Sequence, residues 1–173
     1  PGNINGFVVN DSLSASPGNA NVIIRNVSIN GGGTPPGLNG IRFISGRSVT
    51  VENVTIQNQN GNSGISFAPN GANAVLIVKN SSIVSNGLAP ATGGGIVIQP
   101  QSGGTNALVT VHNSTIQRNG GSGIVVDTTN GSAILTVRDS TISNNTNGGV
   151  RAFGTGSATV LIDRSTINSN SVA

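Results

Sequence analysis

The stretch Val49-Thr50-Val51-Glu52-Asn53-Val54-Thr55-Ile56-Gln57, followed by Gly64-Ile65-Ser66-Phe67, decides the fold, because the rest of the chain repeats it. At its centre is a four-residue phrase ending in isoleucine. The copies are Asn26-Val-Ser-Ile29, Asn53-Val-Thr-Ile56, Asn80-Ser-Ser-Ile83, Asn113-Ser-Thr-Ile116, Asp139-Ser-Thr-Ile142 and Arg164-Ser-Thr-Ile167, at intervals of 27, 27, 33, 26 and 25 residues. Each copy but the last is followed by glycine and an aliphatic residue: Gly40-Ile-Arg-Phe43, Gly64-Ile-Ser-Phe67, Gly95-Ile-Val-Ile98, Gly123-Ile-Val-Val126 and Gly149-Val-Arg-Ala152. Gly6-Phe-Val-Val9 is the same phrase from an earlier coil. A fixed period in the twenties is the signature of a solenoid.

A third strand precedes each asparagine phrase and alternates with period two. Its inward positions are Val22/Ile24, Val49/Val51, Leu76/Val78, Val109/Val111, Leu135/Val137 and Val160/Ile162. One coil therefore holds three short strands, separated by turns rich in Gly, Asn, Ser and Pro. No stretch has helical periodicity. The expected fold is all-β: a right-handed single-stranded parallel β-helix of about six coils and three parallel sheets. Stacking at ~4.8 Å per coil places like over like, with the isoleucines in one buried column and Phe43 over Phe67. A leucine-rich repeat has a similar period, but its Leu-x-x-Leu-x-Leu framework is nowhere in the chain. Gly87 to Gly94 and Gln99 to Asn106 are the longest insertions and are expected as loops outside the stack.

Composition narrows the function classes. Charged residues are only 8% of the 173, and Cys, Met, Trp and Tyr are missing. No run approaches the ~20 apolar residues of a membrane helix. The eight cations are scattered, and few aromatics could stack on bases, so nucleic-acid binding is disfavoured. Without cysteine there is neither a disulfide framework nor a thiolate metal site. The chain begins at Pro1, and the expectation is one domain over 1–173, a fragment of a longer chain lacking its N-terminal cap.

On these repeats the sequence resembles the pectin-lyase-like superfamily of right-handed β-helices. The phrases GLNGIRFISG (37–46), VTVENVTIQN (49–58) and GISFAPNG (64–71) carry a narrower resemblance to secreted bacterial β-helix repeat proteins. The resemblance implies the fold over the whole chain. For function it implies little, since the superfamily includes lyases, hydrolases, epimerases, tailspikes and adhesins.

Residues able to carry chemistry are few. Asn26, Asn53, Asn80 and Asn113, with Asp139 and Arg164 taking over their position, read as a polar ladder at a tight turn, where asparagine tolerates left-handed angles. Just before it runs an outward charged column, Arg25, Glu52, Lys79, His112, Arg138 and Asp163, in which neighbouring coils bring opposite signs together. Pairs of this kind fix register more than they stabilise. His112 lies between Lys79 and Arg138 with no carboxylate expected to orient it. Glycoside hydrolysis needs two carboxylates within ~5–9.5 Å. The five acids (Asp11, Glu52, Asp127, Asp139 and Asp163) offer no such pair, and Asp139 and Asp163 each have an arginine partner available. The resemblance would imply calcium held by clustered acids and an arginine base, and the acids show no such cluster. Asp127-Thr-Thr-Asn130 reads as a turn. Phe7, Phe43 and Phe67 fall at inward positions, leaving Phe153 as the exposed aromatic. The outward column Ser28, Thr55, Ser82, Thr115, Thr141 and Thr166 lacks a second threonine rank and makes a poor ice template.

The expectation is accordingly a module without catalytic, metal or cofactor residues, extracellular or at a bacterial cell surface, structural or adhesive. A carbohydrate-binding domain or a fragment of a pectate-lyase-like polysaccharide-active enzyme is the alternative. Expected partners are a second copy stacked end to end or the missing part of the chain, and cell-surface polysaccharide; nucleic acid and membrane are not expected.

Overall fold

The computed structural model describes residues 4–71, 73–87 and 93–171, and these form eighteen strands and no helix. All are paired in parallel, in three six-stranded sheets. The first sheet contains β1 (Phe7–Asn10), β4 (Asn39–Ser45), β7 (Ser63–Phe67), β10 (Gly94–Ile98), β13 (Ser122–Asp127) and β16 (Val150–Phe153). The second contains β2 (Asn21–Arg25), β5 (Ser48–Glu52), β8 (Ala74–Lys79), β11 (Asn106–His112), β14 (Ser132–Arg138) and β17 (Ala158–Asp163). The third contains β3 (Ser28–Asn30), β6 (Thr55–Gln57), β9 (Ser82–Val84), β12 (Thr115–Gln117), β15 (Thr141–Ser143) and β18 (Thr166–Asn168). Every third strand returns to the same sheet one coil further on, which is the solenoid that the repeat predicts. Residues 99–105 leave the stack as a turn with Gln101, Gly103 and Gly104 exposed, whereas most of the Gly87–Gly94 insertion falls at 88–92, outside the described residues.

The register follows from burial. Ile56, Ile83, Ile116 and Ile142 stack in register and are fully shielded, as are Phe43 and Phe67, whose ring centroids lie 4.7 Å apart. Each buried side chain of this size contributes about 1.5–3 kcal/mol. The end coils are less covered. Phe7, inward in register, is 40% exposed, and Val160, Ile162 and Ile167 are 36–41% exposed, because they lie in the first and last coils of the described residues. The isoleucine column packs against the glycine column. A β-carbon on Gly95 would meet both the Gly123 carbonyl oxygen and Ile116 Cγ2 at 2.6 Å, so the backbone approach itself requires glycine.

Two corners of the coils use left-handed residues, the first in all six and the second in the five after the first coil. The first is the predicted ladder position, Asn26 to Arg164, with φ between 44° and 57°. Asn53 Nδ2 donates to Asn26 Oδ1 and Asn113 Nδ2 to Asn80 Oδ1, each at 2.8 Å, on the exposed surface. The second corner is Asn58, Ser85, Arg118, Asn144 and Ser169, with φ between 51° and 60°. The residue after it forms another ladder, which is buried and was not anticipated. Asn119 Nδ2 donates to Asn145 Oδ1 at 2.9 Å and to the Ile83 carbonyl at 3.2 Å, while Asn119 Oδ1 accepts from Asn86 N at 3.0 Å. Asn145 repeats this set with Asn170 and Ile116, and Asn86 with Asn119 and Ile56. A serine ladder lies between the corners. Ser81, Ser114 and Ser140 bond the carbonyl two residues back and accept the N–H of Val54, Ser81 and Ser114 one coil away.

The loop between β1 and β2 is held by one carboxylate. Asp11 accepts from the N–H groups of Gly18, Asn19 and Ala20, each at 2.9 Å, and from the Ser45 hydroxyl. These bonds, the Ser45 one foremost, lower its pKa from the ordinary 3.8 to about 2.

Three outcomes are expected. Replacing Ile116 with Asn buries an unpaired amide and removes packing, lowering stability by several kcal/mol in chemical denaturation; an unchanged midpoint would refute the coil alignment. Asn119→Ala, which orphans buried groups on both sides, costs about 3 kcal/mol or more, whereas Asn53→Gly on the exposed ladder costs less than about 1 kcal/mol. Because the folded pKa of Asp11 is depressed, its contribution is complete above the unfolded value near 3.8 and is lost as pH falls toward about 2. Denaturation curves at several pH values should show that acid-dependent component in the wild type and not in Asp11→Asn.

Candidate functional site

The outward face of the first sheet differs from the other two. Alternation along its strands turns Val8, Arg42, Ser66, Val97, Val125 and Arg151 outward in one register column, one residue after each inward Phe, Ile or Val. Such positions are ordinarily solvated. Here Val97 is 8% and Val125 only 3% exposed. They lie at the bottom of a depression whose sides come from the turns flanking the sheet.

Two cavities make up this depression. One, of about 380 Å³, is lined among others by Asn39, Arg42, Asn62, Ser66, Gln99 and Gln101. The other, of about 260 Å³, is lined by Asn62, Ser66, Val97, Gln99, Val125, Asp127 and Phe153. They share Asn62, Ser66 and Gln99, so they are lobes of one cleft running across the strands, parallel to the solenoid axis. From Arg42 to Arg151 is four coil steps, about 19 Å at ordinary strand spacing. At the far end the Arg151 guanidinium lies 4.8 Å over the Phe153 ring, a cation–π contact that holds both at the rim. At the near end Asn39, 2% exposed, has no hydrogen-bond partner for its Oδ1, and neither has the fully buried Ser63 Oγ beside it in register. Buried polar atoms of this kind take a water or a ligand group.

Asp127 is the acid among the described lining residues, and its oxygens are engaged. Gln99 Nε2 donates to Oδ2 at 2.7 Å, and Thr129 donates to Oδ1 through N–H at 3.0 Å and Oγ1 at 2.6 Å. Burial works to raise its pKa, but the bonds from Thr129 and Gln99 outweigh it and the net direction is down. The same bonds fix the Gln99 amide against the Asp127 carboxylate. Asp127-Thr-Thr-Asn130 is the turn that its sequence suggests.

The other acids lie away from the cleft. Lys79 Nζ reaches Glu52 Oε1 at 3.1 Å and Arg138 Nε reaches Asp163 Oδ2 at 3.7 Å, as the charged column predicts, while Arg25 and Glu52 form no ion pair. Arg164 grips Asp139 through Nε at 2.8 Å and Nη2 at 3.0 Å, and Asp163 through Nη1 at 2.8 Å. One expectation fails: His112 does have a carboxylate, since its Nε2 lies 3.2 Å from Asp139 Oδ2. The left-handed corner swings Asp139 of the next coil beside His112, although the two belong to adjacent columns. The cluster is half exposed and saturated by arginine. Among the described residues no three His, Cys, Asp or Glu side chains come together.

Sequence reasoning found Phe153 exposed but missed the cleft around it. Its signal is the residue two after each glycine of the Gly-aliphatic phrase, a column that runs from Val8 through Arg42 and ends at Arg151.

A family model described as the right-handed β-helix region matches residues 6–173. Searches of curated proteins and of solved structures find no match. With nearly its whole length matched and its coils built as that description requires, the chain belongs to the right-handed β-helix family.

Proposed function

We propose that this protein is a non-catalytic binding module that holds an extended, hydroxyl-rich chain, an extracellular polysaccharide, along the cleft of the first sheet. The observation that carries this reading is the continuous cleft parallel to the solenoid axis, lined by amides and ending in Arg42 and Arg151. Amide side chains such as Asn62, Gln99 and Gln101 present donors and acceptors together, the recognition that vicinal hydroxyls require. Arginine adds charge-assisted bonds to carboxylate or sulfate on the chain. Phe153 offers one apolar ring for a sugar face.

The non-catalytic part rests on Asp127. Hydrolysis at this site would need a second carboxylate and a protonated acid, whereas Asp127 is held ionised by Gln99 and Thr129. A rod of stacked, laddered coils is a rigid platform on which such a cleft keeps its shape, which suits adhesion to or assembly in a matrix outside the cell.

Calorimetric titration with oligomers of uronic acids, sulfated sugars and neutral hexoses tests this. Saturable binding to at least one acidic class is expected, weakened about tenfold or more by the double change Arg42→Ala and Arg151→Ala, with the melting temperature unaltered. Failure of all classes to bind would overturn the reading. So would release of shortened or unsaturated products that stops on Asp127→Ala.

A further inference from the structure

The outward face of the second sheet carries a second surface, unrelated to the cleft. Its three outward columns are in continuous register across all six strands. Ile23, Leu108, Ile134 and Leu161 are 65%, 39%, 46% and 48% exposed there, with Val75 and Ile77 between them. Thr50, Thr110 and Thr136 share the central column with Ile23, Ile77 and Leu161. The charged column from Arg25 to Asp163 borders one side. Contiguous exposed aliphatics on a flat sheet mark an interaction site.

We propose that this face binds the same face of a second copy, related by a two-fold axis that runs along the strands between β8 and β11. The sequence of side chains on the face argues for it. Such an axis reverses the coil order and leaves each column facing itself. Arg25 then faces Asp163, and Glu52 faces Arg138, so opposite charges meet four times in the symmetric pair. In the central column Ile23 faces Leu161 and Thr50 faces Thr136. In the outer column Val75 faces Leu108 and Asn21 faces Thr159. Lys79 against His112, Ile77 against Thr110 and Ser48 against Ile134 are the mismatched positions. An axis along the solenoid would instead set the charged column against Val75, Leu108 and Ile134, burying charge against aliphatic side chains. An isologous interface must be self-complementary, and the antiparallel arrangement meets that condition. The aligned packing of two sheet faces about 10 Å apart lets the long charged side chains reach across the edge.

The contact is small. Six strands at ~4.8 Å by five to seven residues at ~3.3 Å give about 570 Å² per copy, near the lower bound for a specific interface. The dimer is therefore weak, and it closes on itself, unlike end-to-end stacking.

The chain contains no cysteine, so thiols report the geometry directly. Thr50 and Thr136 are three coils apart within one chain, about 14 Å, too far for an internal disulfide. Across the interface the backbones stand about 10 Å apart, beyond a direct disulfide, so the double variant Thr50→Cys, Thr136→Cys is treated with a thiol cross-linker too short to span the internal distance. On denaturing electrophoresis it should give a covalent dimer and no larger species, while neither single variant gives a covalent product. Sedimentation velocity of the wild type should show a concentration-dependent dimer that Thr110→Glu abolishes with its circular dichroism unchanged. Cross-linking by Thr50→Cys alone would place the coils in parallel and overturn the proposal. A monomer at millimolar concentration with no cross-link, or an open-ended polymer insensitive to Thr110→Glu, would overturn it as well.

Discussion

Each coil must retrace the path of its neighbours, because its strand N–H and C=O groups bond the coils above and below. A slip of one residue would turn every inward side chain outward. The restraint is applied at corners as well as along strands. The left-handed residue before each third-sheet strand and the one after it turn the chain at fixed points, and the asparagine and serine ladders bond corner to corner. Core isoleucines, close-packed glycines and polar ladders are therefore one requirement met by three kinds of side chain.

Repetition made the interior legible in the sequence. A position that is buried in every coil accepts few residues, so Ile56, Ile83, Ile116 and Ile142 announce themselves, and so does the exposed asparagine ladder that starts the same phrase. The buried ladder was equally periodic, three residues after each isoleucine at Gln59, Asn86, Asn119, Asn145 and Asn170. It was hidden because the turns are rich in asparagine throughout, and composition alone does not separate a shielded amide from a solvated one.

The cleft was less legible for a different reason. Its floor comes from a regular column, but its sides come from turns whose length varies between coils, and these decide whether an outward valine is solvated or shielded. Val125 is outward by alternation and almost inaccessible in fact. The His112–Asp139 contact was missed on similar grounds: columns treated as independent converge where a left-handed corner swings one beside the other. In a solenoid the sheets set where side chains can be, and the turns set what they meet.

The axial direction of the inter-coil bonds has a mechanical consequence. A pull on the two ends of the chain along the solenoid axis loads the outermost coil before those beneath it, so bonds part a coil at a time and not together in shear. Releasing one coil of some 26 residues frees roughly 90 Å of chain. Such a rod under tension would yield in steps, each at modest force, and lengthen many times over before it lost its last coil.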